Sequence, residues 1–322
     1  MMHRMKPILL FCLALTFALT ACEKVVYIKI DEADRKIVLN GLICPDSTVV
    51  VHVSRSSSLG KPDQWDITKP YVDPWMADQV SLYEDDRFVG QLHMKKGNFL
   101  ELPGFRPLPG KAYRLEASQG EMKPVSATVH IPELVPLTSF DTTMVTTADG
   151  KAAVRISFRI SDPAGQKNYY ALQVSGSQRY FYDPFERKII DSVGIYNCYP
   201  SLYLNSDDIL GLDFLDANRD VRIDGKLFFN DQLFNGKAFD ISFELPQDSW
   251  YKMADTVNFR IDLHQVDKSY YLYAVSQQKY SLSADNPFVE PVQVYSNVTD
   301  GFGLFSAYIW IRKEVVVDWT KW

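Results

Sequence analysis

Val154-Arg155-Ile156-Ser157-Phe158-Arg159-Ile160 alternates apolar and polar side chains over its whole length. Successive side chains of an extended strand point to opposite faces, so this pattern predicts a strand with one face on a core and one in water. Phe239-Asp240-Ile241-Ser242-Phe243-Glu244-Leu245 repeats it. Around these two stretches, Tyr169 to Val174, Val221 to Phe229, Val257 to His264 and Leu304 to Ile311 are rich in β-branched and aromatic residues and read as further strands. One segment departs from the period of two. From Asp267, Tyr271, Leu272, Val275 and Tyr280 recur at near-helical spacing in a stretch free of Gly and Pro. This predicts one helix over 267–283, with Asp267 as its N-cap.

The first half is punctuated more often. Strand signals fall at Lys36 to Gly41, Thr48 to Ser54, Gln79 to Tyr83, Phe88 to Met94, Ala112 to Ala117 and Val125 to Ile131, with Glu84-Asp85-Asp86 as a hairpin turn. Leu108-Pro109-Gly110-Lys111-Ala112-Tyr113 has the form of the approach to a tyrosine corner, in which a Tyr hydroxyl bonds back to the chain crossing between sheets. Pro62, Pro70 and Pro74 exclude a central strand and make 56–74 a long loop. The predicted architecture is therefore mainly β. An immunoglobulin-like, seven-strand β-sandwich over 35–132 precedes a stiff linker between Pro132 and Pro136, and a larger β-rich C-terminal domain with the helix covers 137–322.

The chain begins with a targeting pattern. Arg4 and Lys6 precede an apolar run from Pro7 to Ala18, which closes on Leu19-Thr20-Ala21-Cys22. A positive region, a short apolar region and small residues before a cut make a secretory signal over 1–21, and a cysteine at the cut makes it a lipobox. The run is shorter than the ~20 residues of a spanning helix. The pattern resembles the signal of bacterial lipoproteins, which implies diacylglycerol on the Cys22 thiol and an amide-linked acyl chain such as palmitate, with an ordinary signal peptide or an uncleaved anchor as the alternatives and 22–34 as a mixed-charge tether. Several acyl chains, at about 0.8 kcal/mol per buried CH₂, hold a protein on a membrane far more firmly than one.

Removing 1–21 takes away two cations and no carboxylate, which changes the net charge from −6 to −8. Such acidity argues against nucleic acid, which is bound by neutralising phosphates, and against a basic membrane-binding face. Cys12 leaves with the signal, so Cys44 and Cys198 remain as thiols. An oxidising envelope allows them to bridge; the alternative is two separately buried small apolar residues.

Motifs for chemistry are sparse. There is no Gly-x-Ser-x-Gly elbow, no His-Glu-x-x-His and no phosphate-cradling glycine loop. His52, His93, His130 and His264 lie far apart on predicted strands or their ends and read as ordinary sheet residues. Asp216, Asn218, Asp220 and Asp224 place oxygens at alternate positions, as a calcium loop does. Val221 stands at the sharp-turn glycine and Leu227 at the closing acid, so a solvated acidic loop is the competing reading and no metal or cofactor is expected. Tyr180-Phe181-Tyr182-Asp183-Pro184-Phe185 offers flat faces to a sugar, a peptide or a partner, or else packs one face into the core. Trp65, Trp75 and Trp250 fall in or near loops, where 56–74 is either a recognition loop or a solvent-exposed insertion.

An ordered series of segments resembles one known family. It comprises Val257 to Leu263, Ser269-Tyr270-Tyr271-Leu272-Tyr273, Asn286-Pro287-Phe288, Glu290-Pro291-Val292, Tyr295-Ser296-Asn297-Val298 and Gly301-Phe302-Gly303-Leu304-Phe305. Val38-Leu39-Asn40-Gly41, Val80-Ser81-Leu82-Tyr83, Pro109 to Tyr113, Ile131-Pro132, Asn197-Cys198-Tyr199 and the turn from Phe228 to Lys237 agree with it. The chain is similar to the Bacteroidota lipoproteins of domain of unknown function 4249. The resemblance implies an outer-membrane or surface lipoprotein with no assigned activity, often encoded beside TonB-dependent transporters. The expected function is thus a non-catalytic binding or accessory protein, lipid-anchored at the outer membrane on either face. A surface hydrolase of glycan or peptide and a structural envelope protein are the alternatives. A deep cleft with perturbed acids, or His264 beside an acid, would point to the hydrolase; an exposed apolar patch would point to an interaction protein.

Overall fold

The computed structural model describes residues 35–56, 77–183, 188–198, 221–223, 225–247, 256–283, 290 and 292–321; of these, 178–183, 188–198 and 221–223 are described as backbone only. All of them belong to one compact unit.

The first eight strands are β1 (Ile37–Ile43), β2 (Val49–Arg55), β3 (Gln79–Glu84), β4 (Arg87–Gln91), β5 (His93–Lys96), β6 (Phe99–Leu102), β7 (Ala112–Gln119) and β8 (Met122–His130). They form a β-sandwich of eight strands in place of the seven expected. Strands β1, β2, β6 and β5 make one layer and β4, β3, β7 and β8 the other. The predicted strand Phe88 to Met94 is divided between β4 and β5, which lie in different layers. Leu92 sits at the crossing, buried in the core, and its N–H donates to Val80 O at 2.8 Å. Asp85 and Asp86 both have φ > 0 and form the expected turn. The tyrosine corner is present: Leu108 N–H donates to the Tyr113 hydroxyl at 2.7 Å, and that hydroxyl donates to Glu84 Oε2 at 2.5 Å.

The remaining strands are β9 (Leu137–Thr146), β10 (Ala152–Ser161), β11 (Tyr169–Asp183), β12 (Lys188–Cys198), β13 (Val221–Ile223), β14 (Lys226–Asn230), β15 (Ala238–Pro246), β16 (Thr256–Val266) and β17 (Phe305–Asp318), with helix α1 (Lys268–Ser283) between the last two. The alternation read in the sequence is realised in β10. Val154, Ile156, Phe158 and Ile160 are buried, while Arg155, Ser157 and Arg159 face Glu244, Ser242 and Asp240 of β15 across the outer surface. Strands β15, β10 and β9 form a three-stranded sheet. Its inner face packs on Tyr170, Leu172, Phe259, Ile261 and Leu263 of the larger sheet.

That larger sheet has ten strands, in the order β13-β14-β11-β16-β17-β1-β2-β6-β5 with β12 beside β11. It runs across the boundary expected at 132–137, because β1 pairs in parallel with β17 through Gly41↔Phe305, Leu42↔Ser306 and Ile43↔Ala307. One face is covered by the four-stranded sheet over the first half and by the three-stranded sheet over the second. The opposite face is covered by α1 around Tyr169, Ala171, Phe228 and Val266.

Two devices hold this arrangement. Asp267 caps α1, accepting Ser269 N–H at 2.8 Å and Tyr270 N–H at 3.4 Å, and also accepts from Ala307 N–H and the Ser306 hydroxyl of β17. The segment 297–305 fastens the end of the chain to its beginning. Leu39 N–H donates to Phe302 O, Phe302 N–H to Ile37 O, and Thr299 N–H to Ser126 O of β8. The approach is close enough to require glycine. A Cβ at Gly301 would lie 2.5 Å from Ile37 O, and one at Gly303, where φ is 113°, would lie 2.1 Å from Leu39 O.

Candidate binding face

The outer face of the ten-stranded sheet beyond α1 carries a polar constellation, set by strand register. Along β16, Asn258, Arg260, Asp262 and His264 share this face, because the intervening Val257, Phe259, Ile261 and Leu263 enter the core. Arg260 is opposite Ser175 of β11 and Glu314 of β17; Asp262 is opposite Gln173 and Arg312; His264 is opposite Ala171 and Trp310. Lys226 of β14 extends the Asp262 row beyond Gln173.

Arg312 forks onto Asp262, donating through Nε at 2.6 Å to Oδ1 and through Nη2 at 2.8 Å to Oδ2. Its guanidinium also lies 4.1 Å from the centre of the Trp310 ring. A planar fork that pairs and stacks at once is a use of Arg that Lys cannot reproduce. Arg260 Nε lies 3.5 Å from Glu314 Oε1.

His264 is 6% exposed, and neither ring nitrogen has a hydrogen-bond partner. Its ring packs against Tyr308, with centres 5.2 Å apart, and beside Trp310 at 6.5 Å. Burial brings its pKa down to about 4, with Lys226 and Arg312 adding to that direction and Asp262 opposing it. The imidazole is therefore neutral at ordinary pH. Asn258 Oδ1 and Arg260 Nε are also buried without a hydrogen-bond partner. Three of four successive residues on this face of β16 thus hold polar atoms out of water and unsatisfied, which is uncommon and costs free energy at each atom. His264 and Asp262 are not hydrogen-bonded as an acid–base dyad, because neither ring nitrogen has a partner.

On the same face of the first half, Leu42, Phe99 and Phe302 are exposed. Lys36 Nζ lies 5.2 Å from the Phe302 ring centre, and His52 packs 5.0 Å from Phe99. Elsewhere, a cleft with a cavity volume of about 200 Å³ opens at the sandwich edge between Val53, Asp78, Leu92 and Asn98.

A second polar network is structural. Tyr170 donates to Asp162 Oδ1 at 2.5 Å, and Asp162 Oδ2 accepts Gly236 N–H at 3.0 Å. Asp231 Oδ2 accepts Asn168 N–H at 2.6 Å; Gln265 joins Asn168 Oδ1 at 3.1 Å to Val135 N–H at 2.9 Å. Burial raises the Asp231 carboxyl above the usual range. These bonds tie the loops after β10 and β14 to the 131–136 linker.

The expected site residues scatter. Cys22, the tether, the loop 57–76 with Trp65 and Trp75, Trp250, and Asp216, Asn218, Asp220 and Asp224 lie outside the described residues. Tyr180 to Asp183 belong to β11 as backbone, and Pro184 and Phe185 lie outside. Cys44 is a buried, free thiol with Sγ 3.3 Å from Ser47 Oγ, and Cys198, the other half of the candidate bridge, is described as backbone only, opposite Val174 in the β11–β12 pair. His52 is half-buried, His93 and His130 are exposed, and His264 lies at the centre of the polar face. Among the described residues, no three His, Cys, Asp or Glu side chains gather into a metal-holding group. Trp310, Arg312 and Asp262 were not picked out by motif. Their signal is a second alternation, Tyr308-x-Trp310-x-Arg312-x-Glu314 facing Asn258-x-Arg260-x-Asp262-x-His264.

Comparison with known proteins bears on family. Among solved structures, the collagen binding domain of Erysipelothrix rhusiopathiae surface protein RspB is similar over 86% of this chain and 96% of its own, at 10% identity and a TM-score of 0.19. The BSP domain of a biofilm associated protein is similar over 90% of this chain and 62% of its own, at 8% identity and a TM-score of 0.18. No curated protein matches. The family model described as Domain of unknown function (DUF4249) matches residues 23–314, and the chain belongs to that family.

Proposed function

We propose that the protein is a non-catalytic binding lipoprotein of the cell envelope, held on the outer membrane through acylated Cys22, that engages a ligand or partner on the outer face of its ten-stranded sheet. The observation that carries the binding role is the unsatisfied polar row of Asn258, Arg260 and His264 beside Trp310 and the Asp262–Arg312 pair. Buried donors and acceptors without partners are costly, and a bound group that completes them is one way in which that cost is met. The anchor is supported by the lipobox and the basic and apolar segments before it. The exposed Leu42, Phe99 and Phe302 suit a protein partner, and a TonB-dependent transporter is the partner proposed.

The test is purification of the acylated protein from its native membrane in mild detergent, beside Trp310→Ala and Cys22→Ser variants. A transporter recovered in stoichiometric amount, and lost with Trp310→Ala, supports the reading. Recovery of the same partners with Trp310→Ala overturns the assignment of this face. Absence of palmitate label from the wild type, or its persistence in Cys22→Ser, overturns the anchor.

A further inference from the structure

We propose that the free edge of β9 pairs with β9 of a second copy of this chain, antiparallel about a two-fold axis at Thr142. The pairing belongs to the three-stranded sheet and is independent of the face described above. Three observations carry it.

The first is that the sandwich is open at β9. Among the described strands, β9 pairs with β10 alone. Thr142 stands opposite Ile156, which is in the core, and directly opposed residues share a face, so Thr142 is on the inner side of its sheet. It is nevertheless exposed, as are its neighbours Asp141 and Thr143. Phe140 and Met144, opposite Phe158 and Val154 on the same inner side, are only partly buried against that core.

The second is that β9 lacks the devices that keep sheet edges from pairing, which are short length, Lys, Pro, bulges and charge. The other edges whose side chains are described have them. β4 and β5 are five and four residues long, and β5 carries Lys95 and Lys96. β8 contains Lys123 and Pro124 and is bridged at Ser126 by Thr299. β15 carries Asp240 and Glu244 and ends at Pro246. Beyond Ala307, β17 pairs with β16 alone among the described strands, and Arg312, Lys313 and Glu314 guard that edge. β9 has ten residues without Lys or Pro, and Asp141 is its one charge. Its one register shift falls at its start, opposite Ile160.

The third is self-complementarity, which selects a second copy over an unrelated strand. Two antiparallel registers of β9 on itself overlap nearly the whole strand. Centred on Asp141, the two carboxylates oppose each other and Phe140 meets Thr142. Centred on Thr142, Phe140 of each copy meets Met144 of the other, and Asp141 meets Thr143. The second register closes both half-buried apolar side chains over the open side, adds ring–sulfur contacts and opposes no like charges. The same patch serves both copies, so the assembly closes as a dimer.

The experiment cross-links the full acylated chain in its native membrane. Opposed residues of an antiparallel pair have Cα atoms about 4.5–5.5 Å apart, within disulfide reach, so Thr142→Cys should give a covalent dimer on mild oxidation. Ser139→Cys is the comparator, because in this register Ser139 meets Val145 and the two copies of residue 139 lie about 20 Å apart. The expected result is about ten-fold more covalent dimer from Thr142→Cys than from Ser139→Cys or the wild type. In detergent at about 100 μM, the wild type should sediment as a dimer, and Thr142→Lys, which sets two ammonium groups face to face at an exposed position, as a monomer. Equal cross-linking of the two cysteine variants, a monomeric wild type, or a Thr142→Lys protein that stays dimeric each overturns the proposal. A monomeric wild type that retains a different polypeptide, lost with Thr142→Lys, overturns the second copy and gives the edge to that partner.

Discussion

Acid should weaken this fold through one imidazole, and a single substitution should remove that part of the sensitivity. The pKa of His264 is lowered from 6.5 to about 4 because the ring is buried, with Lys226 and Arg312 outweighing Asp262. Above pH 6.5 the ring is neutral in both folded and unfolded chains and adds no pH dependence. As pH falls from 6.5 towards 4, the unfolded chain takes up a proton that the folded chain refuses, so stability declines; below 4 both are protonated and the loss levels off. At about 1.4 kcal/mol per pKa unit, the shift corresponds to a loss of about 3 kcal/mol. The assay is urea unfolding of the wild type and His264→Leu across this pH range. Asp85, Asp149, Asp240 and Asp318, all held below the usual carboxylate range by their hydrogen bonds, weaken both proteins alike on acidification. The difference between wild type and variant isolates the imidazole. It should grow by about 3 kcal/mol in favour of the variant between neutral pH and pH 4. A difference that stays constant refutes the argument and means that the ring is protonated as readily in the folded state as in the unfolded one.

Other substitutions test the frame. Gly303→Ala forces a Cβ into Leu39 O at a left-handed φ and should cost more than about 3 kcal/mol, read as a fall in melting temperature or loss of soluble protein. Tyr113→Phe removes both bonds of the corner and should cost about 1–3 kcal/mol in urea unfolding, without changing the circular dichroism of the folded state. Arg312→Met leaves Asp262, 9% exposed, without its partner. It should cost about 2–3 kcal/mol, less than a fully buried pair because Arg312 is one-third exposed, and adding Asp262→Leu should recover most of the loss. Asp267→Ala should cost about 1–2 kcal/mol and fray α1, seen as faster amide exchange at Ser269 and Tyr270.

What the sequence disclosed follows from the range of the interactions involved. The strands β10 and β15, the helix with its Asp267 cap, the Asp85-Asp86 turn and the Tyr113 corner all rest on residues within a few positions of one another, and each was legible. The pairing of β1 with β17 joins residues more than two hundred and fifty positions apart, and no local pattern announces it. The crossing at Leu92 was hidden because Phe88 to Met94 is apolar enough to pass for one strand; only the core decides that Leu92 turns between layers. The polar face was half legible. Alternation along β16 and β17 was visible, but which alternate set meets solvent depends on the covering sheet, and the pairing of Asp262 with Arg312 depends on register. His264 read as an ordinary sheet histidine because an absent hydrogen bond leaves no trace in a sequence.

The fastening of 297–305 onto β1 also governs the order in which the chain can fold. Asn40 Oδ1 accepts Leu304 N–H across 264 positions, and the first core includes Val298, Phe305 and Ala307. The amino-terminal strands therefore wait until residues more than two hundred and fifty positions further along have been delivered. Until then the edge of β1 and the apolar side of β8 stay open to the wrong neighbours. The amino-terminal half cannot finish ahead of the carboxy-terminal half, and a chain cut at 132–137 should aggregate instead of yielding a soluble sandwich. Maturation is a single late event, reached only when nearly the whole polypeptide has been delivered.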